Sequence, residues 1–372
     1  MITLLKVPAV NRVLLDANNT DIQIQSSNGA GYYFRALIYV DDVLFDEQGW
    51  SRVDNFTATK NLKKLYNAYY ESEFIPFSVN ELVEKTNLIK KISISIQEKL
   101  ISSDTLVDTI DLPDFYFMYN KSPVYFDDST KLQLLGVQSS VLQIPENGKI
   151  IIPFFVRAED EAITVELKDN FGEILNSQNI ESFAGKKIFT YSFDLSGVNL
   201  ASNTIYFEAT ITCGTTITTS QFRLIRLPDF PVKEFFFKNN FGYYIPIYLS
   251  GELEVSNAIK ISDYQASDGQ YYVSEINEEL TYTINTSYLL EDERSVINQL
   301  ITSYDVLFKV NNKYRRIQNA TKKELQYRDK KHNYSQDLTF NFIPNGSVDN
   351  IYENSDTPDF DERDFDDNDF LT

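Results

Sequence analysis

The sequence predicts an all-β protein: tandem immunoglobulin-like β-sandwich domains, a C-terminal β domain with one inserted helix, and an acidic tail. Three observations carry that expectation. Apolar and polar residues alternate with a period of two along most of the chain, the pattern of half-buried strands. Strand-forming aromatics are abundant, 27 Phe and 24 Tyr in 372 residues, while stretches with helical spacing are few. The string Leu-Pro-Asp-Phe occurs at 112–115 and again at 227–230, a spacing that suits one small sandwich domain.

The two strings share a context. Each ends a strand-rich stretch and precedes an aromatic run, Phe115-Tyr116-Phe117 in one case and Phe235-Phe236-Phe237 in the other. Proline removes an amide donor and ends ladder pairing, and Asp favours a turn. Both strings are therefore expected at domain joints, with Pro113, Phe115, Pro228 and Phe230 as junction residues and both rings packed between neighbouring domains. A third Pro-Asp-Phe, Pro358-Asp359-Phe360, lies in the tail.

Residues 1–118 are expected to form the first domain, a β-sandwich with a short helix. Ile22 and Ile24, then Phe34, Ala36, Ile38 and Val40, alternate around Asn28-Gly29-Ala30-Gly31, which reads as a hairpin. Ile92, Ile94 and Ile96 alternate likewise, and Leu62, Leu65, Tyr66 and Tyr69 recur at helical spacing.

Residues 119–227 read as an immunoglobulin-like sandwich. A continuous apolar strand, 150–156, precedes the alternation of Ile163, Val165 and Leu167 and a turn at Asp169-Asn170-Phe171-Gly172. Phe189, Tyr191, Phe193 and Leu195 form the next strand. Ile205, Phe207, Ala209, Ile211 and Cys213 share one face of another.

The third domain, 228–344, carries a helix expected near 287–301. Leu289, Leu290, Val296, Ile297, Leu300 and Ile301 trace its apolar side, interrupted only by Glu293. Strands are expected at 306–310 and 338–342, and Pro344-Asn345-Gly346 is expected to close the folded part.

Residues 345–372 hold ten acidic residues and one basic residue, a net −9 that leaves −11 for the rest of a chain with net charge −20. Asp-Phe recurs there every five residues, at Asp359-Phe360, Asp364-Phe365 and Asp369-Phe370. Five helical steps turn about 500°, so the rings share no helical face. Such a segment buries no core of its own. It is expected to be a docking peptide for a basic, aromatic-receptive surface, with the three Phe rings as anchors and the carboxylates guiding approach.

The negative charge argues against nucleic-acid backbones and anionic membranes as partners. Cys213 is the only cysteine, which excludes an internal disulfide and a cysteine-rich metal site. The opening residues lack the basic start and long apolar run of a signal peptide. No apolar stretch is long enough to span a bilayer.

Catalytic chemistry finds little footing. His332 is the only histidine and follows Lys330 and Lys331, so any histidine-based triad or metal centre would have to run through it. Cys213 is expected to be a small, inert core residue. The acidic clusters Asp41-Asp42, Glu159-Asp160-Glu161 and Glu291-Asp292-Glu293 lack the ligand spacing of a calcium loop and read as a turn, a loop and a solvated helix face. No phosphate-binding loop, dinucleotide fingerprint or nucleophile elbow is present. The expectation is a protein that is not an enzyme, with no cofactor and no metal. Tyr69-Tyr70, Tyr243-Tyr244 and Tyr271-Tyr272 could each bury one ring and present the other to proteins or sugars, while sheet propensity alone is the favoured account of such pairs.

A resemblance adds to this reading. Phe237-Lys238-Asn239-Asn240-Phe241-Gly242, then Tyr282-Thr283-Ile284-Asn285-Thr286, the helix, and Leu338-Thr339-Phe340-Asn341-Phe342 follow one another in order. That succession resembles virion structural proteins of tailed phages of Bacteroides-type bacteria, crAss-like phages included. Tyr33-Phe34-Arg35-Ala36 to Tyr39-Val40-Asp41-Asp42 resembles their first hairpin. The resemblance implies a tail or fibre-attachment adaptor made in the host cytoplasm and built into the particle. Its partners would be other virion proteins and further copies of itself. A capsid decoration or head-fibre protein is the nearest alternative. A module that binds or cleaves host polysaccharide is the alternative from another class, with a host surface glycan as partner.

Overall fold

The computed structural model describes residues 1–8, 13–14, 21–54, 56–61, 80–86, 88–118, 126, 129–136, 141–265, 267, 269–287, 289, 293–310, 313–321 and 335–348. The helix expected around Leu62 to Tyr69, the Tyr69-Tyr70 pair, His332 and the Asp-Phe tail lie outside these residues. The described chain is a largely β, multi-sheet architecture with one inserted helix, consistent with tandem sandwich domains of immunoglobulin-like type.

The N-terminal stretch supplies β1 (Ile2–Lys6), β2 (Val13–Leu14), β3 (Asp21–Ser26), β4 (Tyr32–Val40), β5 (Val43–Trp50), β6 (Thr57–Asn61), β7 (Leu82–Glu84), β8 (Ile89–Leu100), β9 (Leu106–Asp111) and β10 (Phe115–Met118). One sheet has the order β1-β3-β6; a second has β2-β10-β8-β4-β5, with β9 also on β8. Ile22, Ile24 and Ala58 from the first and Phe34, Ala36, Ile38, Ile94 and Ile96 from the second belong to one buried core.

The hairpin expected around 28–31 is not formed, because β3 and β4 lie in different sheets. A buried carboxylate sits at this corner. Glu98 is fully buried, and Arg52 (2.7 Å) and the Asn28 side chain (2.9 Å) both donate to it. Arg52 also donates to the Asn28 carbonyl at 2.5 Å. A buried charge has to be paired, and its partners hold the turn where the chain crosses between layers.

The first Leu-Pro-Asp-Phe string lies within a single sheet. β9 pairs with 95–99 of β8 and β10 with 89–92, so the string bridges two stretches along one side of the same strand. Leu112 N–H still donates to Ile94 O (2.8 Å), Pro113 has no N–H to offer, and Asp114 accepts from Ser93 Oγ (2.7 Å). Proline here interrupts a ladder. Phe115 is buried opposite Ile92.

The middle stretch supplies β11 (Leu132–Leu134), β12 (Val141–Pro145), β13 (Lys149–Asp169), β14 (Ile174–Asp194), β15 (Tyr206–Cys213) and β16 (Thr216–Ile225). They join in the order β12-β16-β15-β13-β14-β7, with β11 on β13. The two stretches 150–156 and 163–167 are one strand, which pairs with β14 on both sides of two register shifts between Glu159 and Ile163. At this bend Asp160 has φ 64° and Gly185 φ 100°. The first half of β13 takes β11 as its other neighbour and the second half takes β15. A single long ribbon thus bends through bulges and supplies both layers of a sandwich. Ile150, Ile152, Phe154 and Val156 share a core with Val165, Leu167, Phe207 and Ile211. Phe155 and Ile188, on the other face, join the core shared with the flanking stretches. A strand buried on both faces accounts for the unbroken apolar run. β7 reaches in from the N-terminal stretch to pair with β14.

The C-terminal stretch supplies β17 (Lys233–Lys238), β18 (Tyr244–Leu249), β19 (Leu253–Gln265), β20 (Tyr271–Asn285), the helix α1 (Arg294–Thr302), β21 (Val306–Val310), β22 (Lys313–Asn319) and β23 (Asp337–Val348). The sheet order is β18-β17-β21-β22-β23-β20-β19. Helix α1 begins at Arg294, later than its apolar spacing suggests. Ser287 has φ 59°, and its N–H donates to Asn285 Oδ1 (2.8 Å), a local bond that competes with helix initiation. Pro344-Asn345-Gly346 lies inside β23. The β22 register passes from Arg315↔Ser347 to Ile317↔Phe342, so the tripeptide is an excursion in a strand that continues to Val348.

Candidate functional site

The second Leu-Pro-Asp-Phe string follows β16 and precedes β17, where the chain passes from the middle sheet to the C-terminal one. Leu227 has φ 47° and is 96% exposed. Phe230, expected to be packed between domains, is instead exposed. The turn is held from the side by Arg226. Its guanidinium donates to the carbonyls of Ala201 (2.6 Å) and Thr204 (3.0 Å) and lies 3.3 Å from Glu146.

This turn forms one wall of a groove of about 890 Å³. Its lining includes Arg223, Arg226 and Phe230 from the end of β16 and the turn, and Glu252, Asn285 and Asp337 from the C-terminal stretch. Asn285 Nδ2 donates to Asp337 Oδ1 at 2.7 Å. Gly251 presses against the Asn285 backbone, since a Cβ there would lie 2.0 Å from Asn285 O. Any larger residue would therefore push apart the wall of the groove.

Three contacts tie the middle and C-terminal sheets together. Glu293, the acidic residue that interrupts the apolar side of the helix, is buried and not solvated. It accepts from Arg223 (3.0 and 3.2 Å) and from Gln143 Nε2 (3.0 Å). Asn239, between β17 and β18, accepts from Phe241 N and Tyr243 N (both 3.0 Å) and donates to Leu135 O (2.9 Å). Tyr248 Oη accepts from Lys149 N–H at 2.6 Å. Burial pushes the Tyr248 phenol well above its ordinary value. The groove thus has interlocked walls.

The remaining sequence candidates are distributed as follows. Cys213 is fully buried, its Sγ 3.6 Å from Glu161 Oε2, and burial raises its thiol. Asp41 and Asp42 form the turn between β4 and β5 and pair with Lys90 (2.7 Å) and Lys91 (2.9 Å). In the β13 bend Glu161 pairs with Lys131, and Asp160 accepts from Ser182. No group of three or more His, Cys, Asp and Glu is placed to hold a metal among the described residues. Tyr243 and Tyr244 are both buried, while Tyr271 and Tyr272 are both exposed. The pairs therefore do not split one in, one out: β18 is covered on both faces, and the far end of β20 on neither. Pro228 and Phe230 lie at the groove; Pro113 and Phe115 belong to the N-terminal sheet. Phe360, Phe365, Phe370, Asp359, Asp364 and Asp369 lie outside the described residues.

The sequence reading missed the roles of Arg223, Gln143 and Asn239. A signal existed for two ties, in the lone Glu on an apolar helix side and in the Asn at the centre of Phe-x-Asn-x-Phe-Gly. Nothing in the local pattern around Arg223 distinguishes it from other strand arginines.

No protein-family model matches the chain, and no curated protein matches it. Solved structures give distant likenesses. One is the extracellular region of plexin A4, at 11% identity and TM-score 0.18, covering 60% of this chain and 25% of that one. Another is the β-glucuronidase of Parabacteroides merdae, at 11% identity and TM-score 0.18, covering 62% and 31%. A third is the surface layer protein SbsC, domains 1–6, at 11% identity and TM-score 0.21, covering 87% and 40%. The chain spans less than a third of the plexin and glucuronidase chains it matches. Likenesses at these TM-scores bear on neither activity nor partner.

Proposed function

We propose that this chain is a non-catalytic binding module, a rigid β scaffold whose groove takes a polyhydroxylated ligand such as a surface polysaccharide. Phe230 carries the reading. Its exposed aromatic ring lines a concave site that is also lined by the carboxylates of Glu252 and Asp337 and the amide of Asn285, which puts a stacking face and hydrogen-bonding groups in one groove. The interlocked walls favour a pre-formed site, which lowers the ordering cost of binding. The test is a glycan array followed by calorimetry with Phe230→Ala. The expected result is binding to a subset of oligosaccharides, weakened at least tenfold by the substitution while circular dichroism is unchanged. Absence of binding across the array, or binding indifferent to Phe230→Ala, overturns the proposal.

A second reading, a structural component of a virion, draws support from the strings that resemble phage virion proteins. Phe237 to Gly242 includes Asn239, which ties the middle and C-terminal sheets and would keep them together in an adaptor. The Asp-Phe tail would then dock on a neighbouring virion protein. Deleting residues 349–372 is expected to leave the folded sheets intact and abolish incorporation into particles. Normal incorporation of the truncated chain would remove this reading.

A further inference from the structure

β19 and β20 form a ribbon that outgrows its sheet. β23 pairs with β20 only over Thr281 to Asn285, whose β19 partners end at Ser256. Beyond that point β19 continues for nine residues, about 30 Å at the usual rise per residue, with β20 as its one sheet neighbour among the described residues. A two-stranded ribbon is marginal in water without further packing.

The ribbon has two unlike faces. The pairs Leu253↔Ile284 and Val255↔Tyr282 begin one face. Ile284 and Tyr282 are buried and belong to the core. The same face continues outward through Ile259 and Ile261 to Val273 and Tyr271, all exposed, Ile259 at 58%, with Asn257, Glu278 and Asp263 interspersed by register. The core-facing side of the domain therefore runs on into solvent. The opposite face begins with the polar pairs Glu254↔Thr283 and Ser256↔Thr281 and ends on the exposed, stacked rings of Tyr264 and Tyr272.

We infer that this ribbon is a dimerisation arm, and that its occupant is the β19 strand of a second copy, paired antiparallel about a two-fold axis through Asn257. The β19 sequence, Leu253-Glu254-Val255-Ser256-Asn257-Ala258-Ile259-Lys260-Ile261, is self-complementary about that residue. The two-fold sets Val255 opposite Ile259 and Leu253 opposite Ile261 on the apolar face. On the other face it sets Glu254 opposite Lys260. A centre one residue later would place Leu253 against Asp263 and remove the charge pair. Edge pairing extends the ladder of an otherwise terminal strand, and an isologous contact of this kind closes as a dimer. It also carries each distal Ile261 beside the partner copy's Leu253 position, next to a packed core. This inference is independent of what the groove binds.

The test uses the full chain. Sedimentation velocity is expected to give twice the 43.0 kDa chain mass. Directly opposed residues of antiparallel strands have Cα atoms about 4.5–5.5 Å apart, within disulfide reach. Asn257→Cys is therefore expected to form a covalent dimer under mild oxidation. The wild-type chain, whose lone cysteine is buried, should not. Lys260→Glu should weaken the dimer at least tenfold, and Glu254→Lys combined with Lys260→Glu should restore it. A chain monomeric at all concentrations overturns the inference. So does a dimer that Asn257→Cys does not cross-link or that Lys260→Glu does not weaken, because either outcome places the contact elsewhere.

Discussion

Two long hairpins, β13–β14 and β19–β20, begin from similar sequence patterns and end differently. Both are ribbons with apolar residues on alternate positions. β13–β14 bends at Glu159–Ile163, where two register shifts, the left-handed Asp160 and Gly185 turn it back on itself. Its apolar face is buried against its own far half and β15. β19–β20 has a single register shift, between Ser262 and Asp263, and runs on into solvent with Ile259 and Ile261 open. Alternation therefore establishes that a strand has an apolar face, but a bend or a neighbour decides whether that face is covered.

The largest effect expected from this contrast comes from truncating one ring on each ribbon's apolar side or its equivalent. Phe154 is fully buried and stacks on Phe189 at 6.0 Å between centroids. Phe154→Ala should lower unfolding free energy by about 3–5 kcal/mol, whereas Ile259→Ala should change that of the monomer by less than about 0.5 kcal/mol. Urea denaturation at low protein concentration measures both. Equal losses would break the comparison.

A smaller effect is expected at the glycines. Gly185 lies in the bend at φ 100°, and Gly269 lies between β19 and β20 at φ 82°; a Cβ meets no atom within 4 Å at either. The cost of alanine is thus backbone strain alone. Gly185→Ala should cost about 1–2 kcal/mol, because both flanking strand halves are locked into layers. Gly269→Ala should cost less, because its flanking strands pair with each other and are not locked into two layers. Thermal melts of the two variants rank them directly.

The smallest effect is a pH dependence. Tyr191 of β14 is buried, its hydroxyl donating to Asn176 Oδ1 (3.0 Å), and burial raises its phenol well above 10.0. A folded-state value above the unfolded one contributes stability that is full below pH 10 and is lost as pH rises toward the folded value. Stability should therefore fall above pH 10. Tyr191→Phe should flatten that fall by up to one proton's worth, about 1.4 kcal/mol per pH unit. Chemical denaturation between pH 9 and 11 reads the slope, and an unchanged slope would show that Tyr191 does not contribute.

Much of the fold was legible. The period-two stretches at 92–96, 163–167 and 207–213 are strands because alternation is a local property, and the short apolar run 306–310 is one as well. The inward face of Phe207, Ala209, Ile211 and Cys213 followed from the same rule, while Ile205, one step before β15, is exposed. Less was legible of the candidate groove. Its turn was marked by Pro228 and Phe230, but the rest of its lining, Glu252, Asn285 and Asp337 among it, comes from distant strand ends that no local pattern links.

By itself, the sequence determined the secondary-structure class, most strand faces, the existence of the helix before β21 and the places where proline interrupts a ladder. These depend on side-chain period and on the missing N–H of proline, both of which act within a few residues. Only the tertiary structure decided that 28–31 crosses between sheets, that 150–169 is one bent strand, that Glu293 meets Arg223 across sheets, and that β19 lies at an open edge. Each of those depends on which distant strand supplies the next hydrogen-bonding partner or the counter-charge, and that choice is made by packing across the whole molecule.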